Sequence, residues 1–209
     1  MISAIKDGSL ETVCHLSSFI TSTRCFTGDI FMHHACASGD INIVREIAKH
    51  FPINADEHID MMSRYPITLS CSDSPGSTTP LHIACIEGHV DIIKFLLSEG
   101  AKISKSIFLD MCKRNKPVIA RSLLESIPDT ERRMHAQNAL YEDAIYSFPE
   151  IVDLLIHHGA LAHLCNDMGV YPLLCAAQNG NIETIASLLC HGADIKCHTD
   201  GDTAMHYAA

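Results

Sequence analysis

Thr79-Pro-Leu-His-Ile-Ala-Cys-Ile-Glu-Gly-His-Val-Asp-Ile-Ile-Lys-Phe-Leu-Leu-Ser-Glu-Gly-Ala101 decides how the rest of the chain is read. Thr79 is suited to cap a helix N-terminus, because its hydroxyl accepts a bond from a free N–H of the first turn. Pro80 fits the first helical position, where no donor is needed. The helix that follows carries Leu81, Ala84 and Cys85 on a narrow apolar face and stops at Gly88, the residue best able to turn left-handed. Ile92, Ile93, Leu96 and Leu97 then recur at helical spacing, with Asp91, Lys94 and Ser98 between them, until Gly100 stops the chain again. The stretch therefore predicts an antiparallel helix pair.

One such pair cannot bury its apolar face alone, so it should recur, and it does. Tyr171-Pro-Leu-Leu-Cys-Ala-Ala-Gln-Asn-Gly180, then Ile182, Ile185, Leu188, Leu189 and Gly192-Ala193, repeats it nearly position for position; Thr203-Ala-Met-His-Tyr-Ala-Ala209 begins it again 32 residues after Tyr171. The Thr-Pro-Leu-His-x-Ala opening, the middle Gly, the Leu-Leu and the closing Gly-Ala resemble the ankyrin repeat, whose period is about 33 residues. Weaker copies align through Met32 to Cys36 with Ile43, Val44 and Ile47, and through Asn138 to Tyr141 with Ile151, Val152, Leu155 and Ile156. Another runs through Phe108, Met111 and Cys112 with Ile119, Leu123 and Leu124, where Asn115 stands in place of Gly88. The resemblance implies an all-α ankyrin-repeat solenoid of stacked antiparallel helix pairs with short hairpin fingers. Its units fall at 1–27, 28–76, 77–102, 103–128, 129–165, 166–198 and a partial 199–209, forming one array over 1–209.

Two irregularities interrupt the period. The spacing from Gly39 to Gly88 is 49 residues, so 51–77 carries an insertion, turn-rich at both ends and apolar between. The spacing from Thr79 to its counterpart Ser106 is only 27, so the finger after Gly100-Ala101 is expected to be shortened or absent. Pro128-Asp129-Thr130 starts a helix that keeps apolar spacing through Met134, Leu140 and Ile145, and it should be longer than the first helices elsewhere.

The chain of 209 residues is 47% hydrophobic but only 6% aromatic, with no Trp, which suits small-residue helix stacking. Fifteen Lys and Arg against 25 Asp and Glu give a formal charge of -10, which repels phosphate backbones, so nucleic acid is not an expected partner. The basic clusters Lys113-Arg114-Lys116 and Arg132-Arg133 are short and read as solvated helix ends. Of ten Cys, Cys36, Cys85 and Cys112 share one repeat position and behave as small core residues. Without a signal peptide or a run of about 18 apolar residues, the chain is expected to be cytoplasmic, with no membrane span and with reduced thiols.

Fourteen His raise the question of chemistry. Cys190-His191 with Cys197-His198 is the sharpest metal candidate, beside His157-His158 with His163, but two adjacent-residue pairs seven apart are not a zinc spacing. His158 and His191 stand before a Gly stop, where a His can cap the last carbonyls. The resemblance implies that His82 and His206 are structural, bonding within and between repeat turns. Cys25, Cys71 and Cys197 lie in connections. No Gly-rich phosphate loop, nucleophile elbow or paired carboxylate motif appears in the sequence. The expectation is no catalytic residue, no cofactor and no metal.

What the resemblance implies instead is a concave groove for a partner protein, bordered by the two residues before each middle turn. Here these are Ala37-Ser38, Ile86-Glu87, Lys113-Arg114, Ile145-Tyr146 and Gln178-Asn179, flanked by finger residues Met168, Val170 and Asp202. Ile86, Ile145 and Tyr146 are candidate apolar anchors; Lys113 and Arg114 are candidates for acidic contacts. The expected function is that of a monomeric protein-interaction array with no enzyme activity. The first alternative is a targeting or regulatory segment of a larger signalling enzyme or channel; another is a metal-sensing protein. The native polypeptide is expected to continue past Ala209, because Thr203 to Ala209 begin a repeat without its second helix.

Overall fold

Short capping side chains set where the helices begin. Asp40 Oδ1 accepts from the Asn42 N–H at 2.8 Å, Thr79 Oγ1 from the His82 N–H at 3.3 Å, and Ser104 Oγ from the Ile107 N–H at 3.3 Å. Each satisfies one of the donors that a helix start leaves open. The computed structural model describes residues 1–22, 28–51, 53, 79–143, 148–199 and 202–207. Its backbone falls into two units, Met1–Lys102 and Ile103–Ala209.

The first unit runs α1 (Ile2–Lys6), α2 (Leu10–Ser22), α3 (Gly28–Ser38), α4 (Ile41–Ala48), α5 (Pro80–Glu87) and α6 (Val90–Ser98). Each odd helix packs on the even helix after it. The odd helices α1, α3 and α5 also stack in one row, and α2, α4 and α6 in another. Ala35, Cys36, Ile43, Val44, Ile47, Ile83, Ala84, Cys85, Ile93 and Leu96 are fully buried between these rows. Gly88 ends α5 in the left-handed region at φ +87°, as the sequence requires. Gly39 is constrained by space as well as by its φ of +80°: the His89 imidazole stands 2.8 Å from where a Cβ would be, so the turn after α3 leaves room only for a glycine. Along the even row the Arg45 guanidinium lies 5.7 Å over the Phe95 ring.

The second unit comprises α7 (Lys105–Lys113), α8 (Pro117–Ser126), α9 (Asp129–Asp143), α10 (Pro149–His157), α11 (Pro172–Gln178), α12 (Ile182–Cys190) and α13 (Ala204–Tyr207). A two-stranded antiparallel finger of β1 (His198–Thr199) and β2 (Asp202–Thr203) pairs His198 with Thr203 and Thr199 with Asp202. Again α7, α9, α11 and α13 form one row and α8, α10 and α12 the other. Among the described residues no helix is long and apolar enough to cross a membrane.

Several sequence expectations hold. Asn115 adopts φ +51° where Gly88 stands in the repeat, and α9 has 15 residues against 8 in α5 and 7 in α11. Others need correction. Ser104, two residues before the expected Ser106, caps α7; Glu99 to Ser104 separate α6 from α7 without a strand, in line with the shortened spacing. Met134 is 56% exposed; Ala136, Ala139 and Leu140 are the residues that face inward from α9. Ile182 is 79% exposed at the start of α12, and Thr184 takes the fully buried site that Ile92 fills in α6. The insertion expected at 51–77 lies outside the described residues except for Phe51 and Ile53, and so do Cys25 and Cys71.

Two substitutions test this packing. Leu96 is fully buried on α6 against α5 and α4, so Leu96→Ala should cost about 2–5 kcal/mol in a chemical denaturation series; a loss below about 1 kcal/mol would mean that the register is wrong. Thr184 Oγ1 is buried without a hydrogen-bond partner. Thr184→Val removes that orphan and should raise stability by about 1 kcal/mol in the same assay, whereas a destabilised variant would show that the hydroxyl is satisfied in solution.

Candidate functional site

The residues before the middle turns end up at the ends of the odd-row helices, with unequal freedom. Glu87, Lys113 and Gln178 are exposed, and Ile86 is half-buried at the end of α5. The Arg114 guanidinium is bound to Asp110 one turn earlier, Nε to Oδ2 at 2.7 Å, so its charge is already compensated. Asn179 donates its side-chain amide to the Cys175 carbonyl at 2.8 Å, and the Ser38 hydroxyl donates to the Ala35 carbonyl at 2.8 Å. Ile145 and Tyr146 lie outside the described residues. Asp202 is exposed on β2.

In the second unit the loop from Leu161 to Val170 is tied down at several points. Gln137 on α9 grips the Leu161 backbone with both ends of its amide, accepting from the N–H at 2.7 Å and donating to the carbonyl at 3.2 Å. One turn on, Tyr141 donates its hydroxyl to the Cys165 carbonyl at 2.9 Å. Burial pushes the Tyr141 phenol above its ordinary value, which keeps that donor protonated at neutral pH. Asn166 closes the tip, its Oδ1 accepting from the N–H groups of Met168 at 3.0 Å and Val170 at 2.9 Å, and Gly169 turns at φ +73°. Thr199 of β1 donates its hydroxyl to the Gly169 carbonyl at 2.8 Å, joining this loop to the next finger. The outcome is a fixed backbone that leaves Met168 82% exposed and Val170 half-buried.

Gln137, Asn166 and Thr199 are absent from the sequence-derived site. The signal was present for the first two: Gln137 and Tyr141 are four apart on one helix, and Asn166-Asp-Met-Gly169 is turn chemistry. Tyr141 also resolves the fate of the repeat's fourth position, since its phenol reaches the loop carbonyl where a His stood in other copies. At His206 the repeat's own bonding appears: Nδ1 lies 3.1 Å from the Thr203 N–H and 2.9 Å from its hydroxyl.

The His and Cys clusters have local structural partners. His191 does not cap its helix with its ring; Nε2 stands 3.2 Å from Asp153 Oδ1 on α10, and the Ser187 hydroxyl donates to the same oxygen at 2.5 Å. Here the carboxylate sits between Ser and His, whereas nucleophile activation needs the His between the other two. The His157 and His158 rings meet edge to face with centroids 5.6 Å apart. Burial pushes the Cys36 thiol up to about 12, with Cys85 adding to the shift, and burial also raises Cys175 and Cys197, the opposite of an activated thiolate. Among the described residues no group of three His, Cys, Asp or Glu is placed to hold a metal ion.

A family model for ankyrin repeats in three copies matches residues 1–107 and 140–209. The chain belongs to the ankyrin repeat family, and the fold is its stacked-helix solenoid. Ankyrin repeats are generally protein-interaction modules. Among curated relatives, the transient receptor potential cation channel subfamily A member 1 of Drosophila melanogaster is 28% identical over 92% of this chain and 17% of that protein. The B-cell lymphoma 3 protein homolog of Mus musculus is 25% identical over 87% and 41%. The chain thus spans less than half the length of these relatives. Among solved structures, the human ASB11 ankyrin repeat domain aligns with a TM-score of 0.67 at 22% identity over 100% of this chain and 90% of that one. An ankyrin repeat domain from Acinetobacter baumannii aligns at 0.62 and 24% over 85% and 89%.

Gln137→Ala should release the loop while sparing the buried core, because its amide bonds the Leu161 backbone and the neighbouring Tyr141 side chain rather than the inward-facing Ala136, Ala139 and Leu140. Amide exchange read by mass spectrometry is expected to speed up about tenfold or more at Leu161, with α11 unchanged. Unchanged exchange there would mean that the grip is not formed in solution.

Proposed function

We propose that this chain is a protein-interaction module whose partner docks on the odd-row helix ends and on the loop that Gln137, Tyr141 and Asn166 hold in place. The observation that carries the reading is Met168, a large flexible hydrophobe held in solvent on a backbone tied down from both sides. Because the loop backbone is already ordered, a partner that covers this side chain need not order the backbone as well, and more of the burial remains as affinity. Within the second unit Gln178, Asn179, Lys113 and Asp202 would frame such contacts, with Ile145 and Tyr146 included from their sequence position, and in the first unit Ile86 and Glu87 at the end of α5 are candidates on their own account. No residue is assigned a catalytic role. The array acts as a monomer in this reading.

A second reading, that the chain is a regulatory or targeting segment of a larger channel or enzyme, is favoured by one observation. Its similarity to the fly channel covers 92% of this chain but 17% of that protein. The two readings share a binding surface and differ in what lies beyond it.

Affinity capture from a lysate, with the wild type and Met168→Glu run side by side and followed by mass spectrometry, tests the site. A specific protein recovered by the wild type should fall about tenfold or more with the variant, at an unchanged melting temperature. Equal recovery by both chains would remove the loop from the interface.

A further inference from the structure

The methionines of this chain divide into enclosed and open ones. Of the eight, Met61 and Met62 lie outside the described residues, Met1 is half-buried, and Met32 on α3 and Met111 on α7 are fully buried. In the second unit Met134 on α9, Met205 on α13 and Met168 on the loop stand in solvent, at 56%, 73% and 82% exposed.

The backbone around Met168 is fixed without any help from its side chain. The Asn166 N–H donates to the Val170 carbonyl at 2.9 Å, the Gly169 N–H to the Asn166 carbonyl at 2.9 Å, and the Thr199 hydroxyl to the Gly169 carbonyl. Asn166 Oδ1 takes the Met168 N–H itself. The side chain can therefore change chemically while the loop keeps its course. A thioether in solvent is open to two-electron oxidants such as hydrogen peroxide, whereas one enclosed in a core is shielded. One peroxide oxygen bonds to the Met168 Sδ through a sulfur lone pair, the O–O bond breaks, and the second oxygen leaves as water with both protons. The sulfur loses two electrons and the peroxide gains them. The product sulfoxide is polar and chiral. Under a partner's apolar surface it brings an oxygen acceptor that needs a donor, which burial penalises.

We propose that Met168 is a reversible oxidation site whose sulfoxide releases the partner from the loop. The proposal rests on the reading of Met168 as an anchor and adds its regulation. Oxidation removes the apolar character that the anchor needs and leaves the scaffold standing. Methionine sulfoxide reductases reverse it: two thiols give up two electrons and become a disulfide, and the oxygen leaves as water. The exposed thiols Cys165 and Cys190 meet the same oxidant. A thiol reductant restores cysteine sulfenic acids and disulfides but leaves a sulfoxide in place, which separates their response from that of Met168.

The test treats the 209-residue chain with hydrogen peroxide and then with dithiothreitol. By peptide mass spectrometry, Met168 should gain one oxygen about tenfold or more faster than Met32 and Met111, at an unchanged melting temperature. Once its conversion is complete, recovery of the protein that the untreated chain captures from a lysate should fall about tenfold or more, and should return on incubation with both classes of sulfoxide reductase. Met168→Leu, whatever its untreated recovery, should show no oxidant dependence, and Met134→Leu with Met205→Leu should remain as sensitive as the wild type. Met168 oxidising no faster than Met32, recovery indifferent to the oxidant, or a loss that persists in Met168→Leu would each overturn the switch. Indifference to the oxidant while Met168→Glu still loses recovery overturns the switch alone; equal recovery by wild type and Met168→Glu removes the anchor and the switch together.

Discussion

Each helix pair in this chain has an apolar face that it cannot bury by itself. Helices of seven to ten residues are marginal in water, and in this fold they persist because the row before and the row after cover them. The small residues of the odd row follow from that sharing. Ala35 and Cys36 of α3 and Ala84 and Cys85 of α5 are fully exposed to their neighbours and not at all to solvent, which lets the helices approach closely. The turn between paired helices is so tight that a left-handed residue is required, and Gly88 or Asn115 supplies it. Even the space beside Gly39 is taken by a ring from the next repeat.

The surface proposed for binding is a by-product of the same rows. Because the odd helices are short and end in a turn, the residue or two before each turn projects from the core without changing it. The long α9 adds something the short helices cannot. Its Gln137 and Tyr141, a turn apart, reach out to the backbone of a loop 24 residues further on and fix it. A loop without such bonds would have to be ordered by the partner, at a cost in affinity. Here the ordering is done inside the chain, and an exposed Met168 remains.

The fold was legible because its rules are local and repeated. Thr79, Pro80, Gly88 and the Ile-Ile and Leu-Leu pairs each state a cap, a start, a stop or a buried face, and recurrence multiplies their weight. Met134 and Ile182 misled because periodicity gives spacing but not phase near a helix start: two residues further on, about 200° around the helix, Ala136 and Thr184 take the inward face instead. The site was legible only as a column of positions. That Arg114 is neutralised by Asp110 and that Gln137 holds Leu161 depend on rotamers and on a distant backbone, which no spacing encodes. Basic pairs that look like ordinary helix ends in sequence separate in space into Arg132, which clasps the Leu124 and Ile127 carbonyls at the end of α8, and an exposed neighbour, Arg133.

The central claim is that a partner protein is held on the fixed loop and the odd-row helix ends. Hydrogen exchange of the chain, measured free and saturated with a captured partner, addresses it most directly. The account predicts slower exchange across Leu161 to Val170 and at the end of α11 through Asn179, with the buried segments of α8 and α10 unchanged. Slowing confined to residues 52–78, with the loop and the end of α11 exchanging as in the free chain, would contradict it.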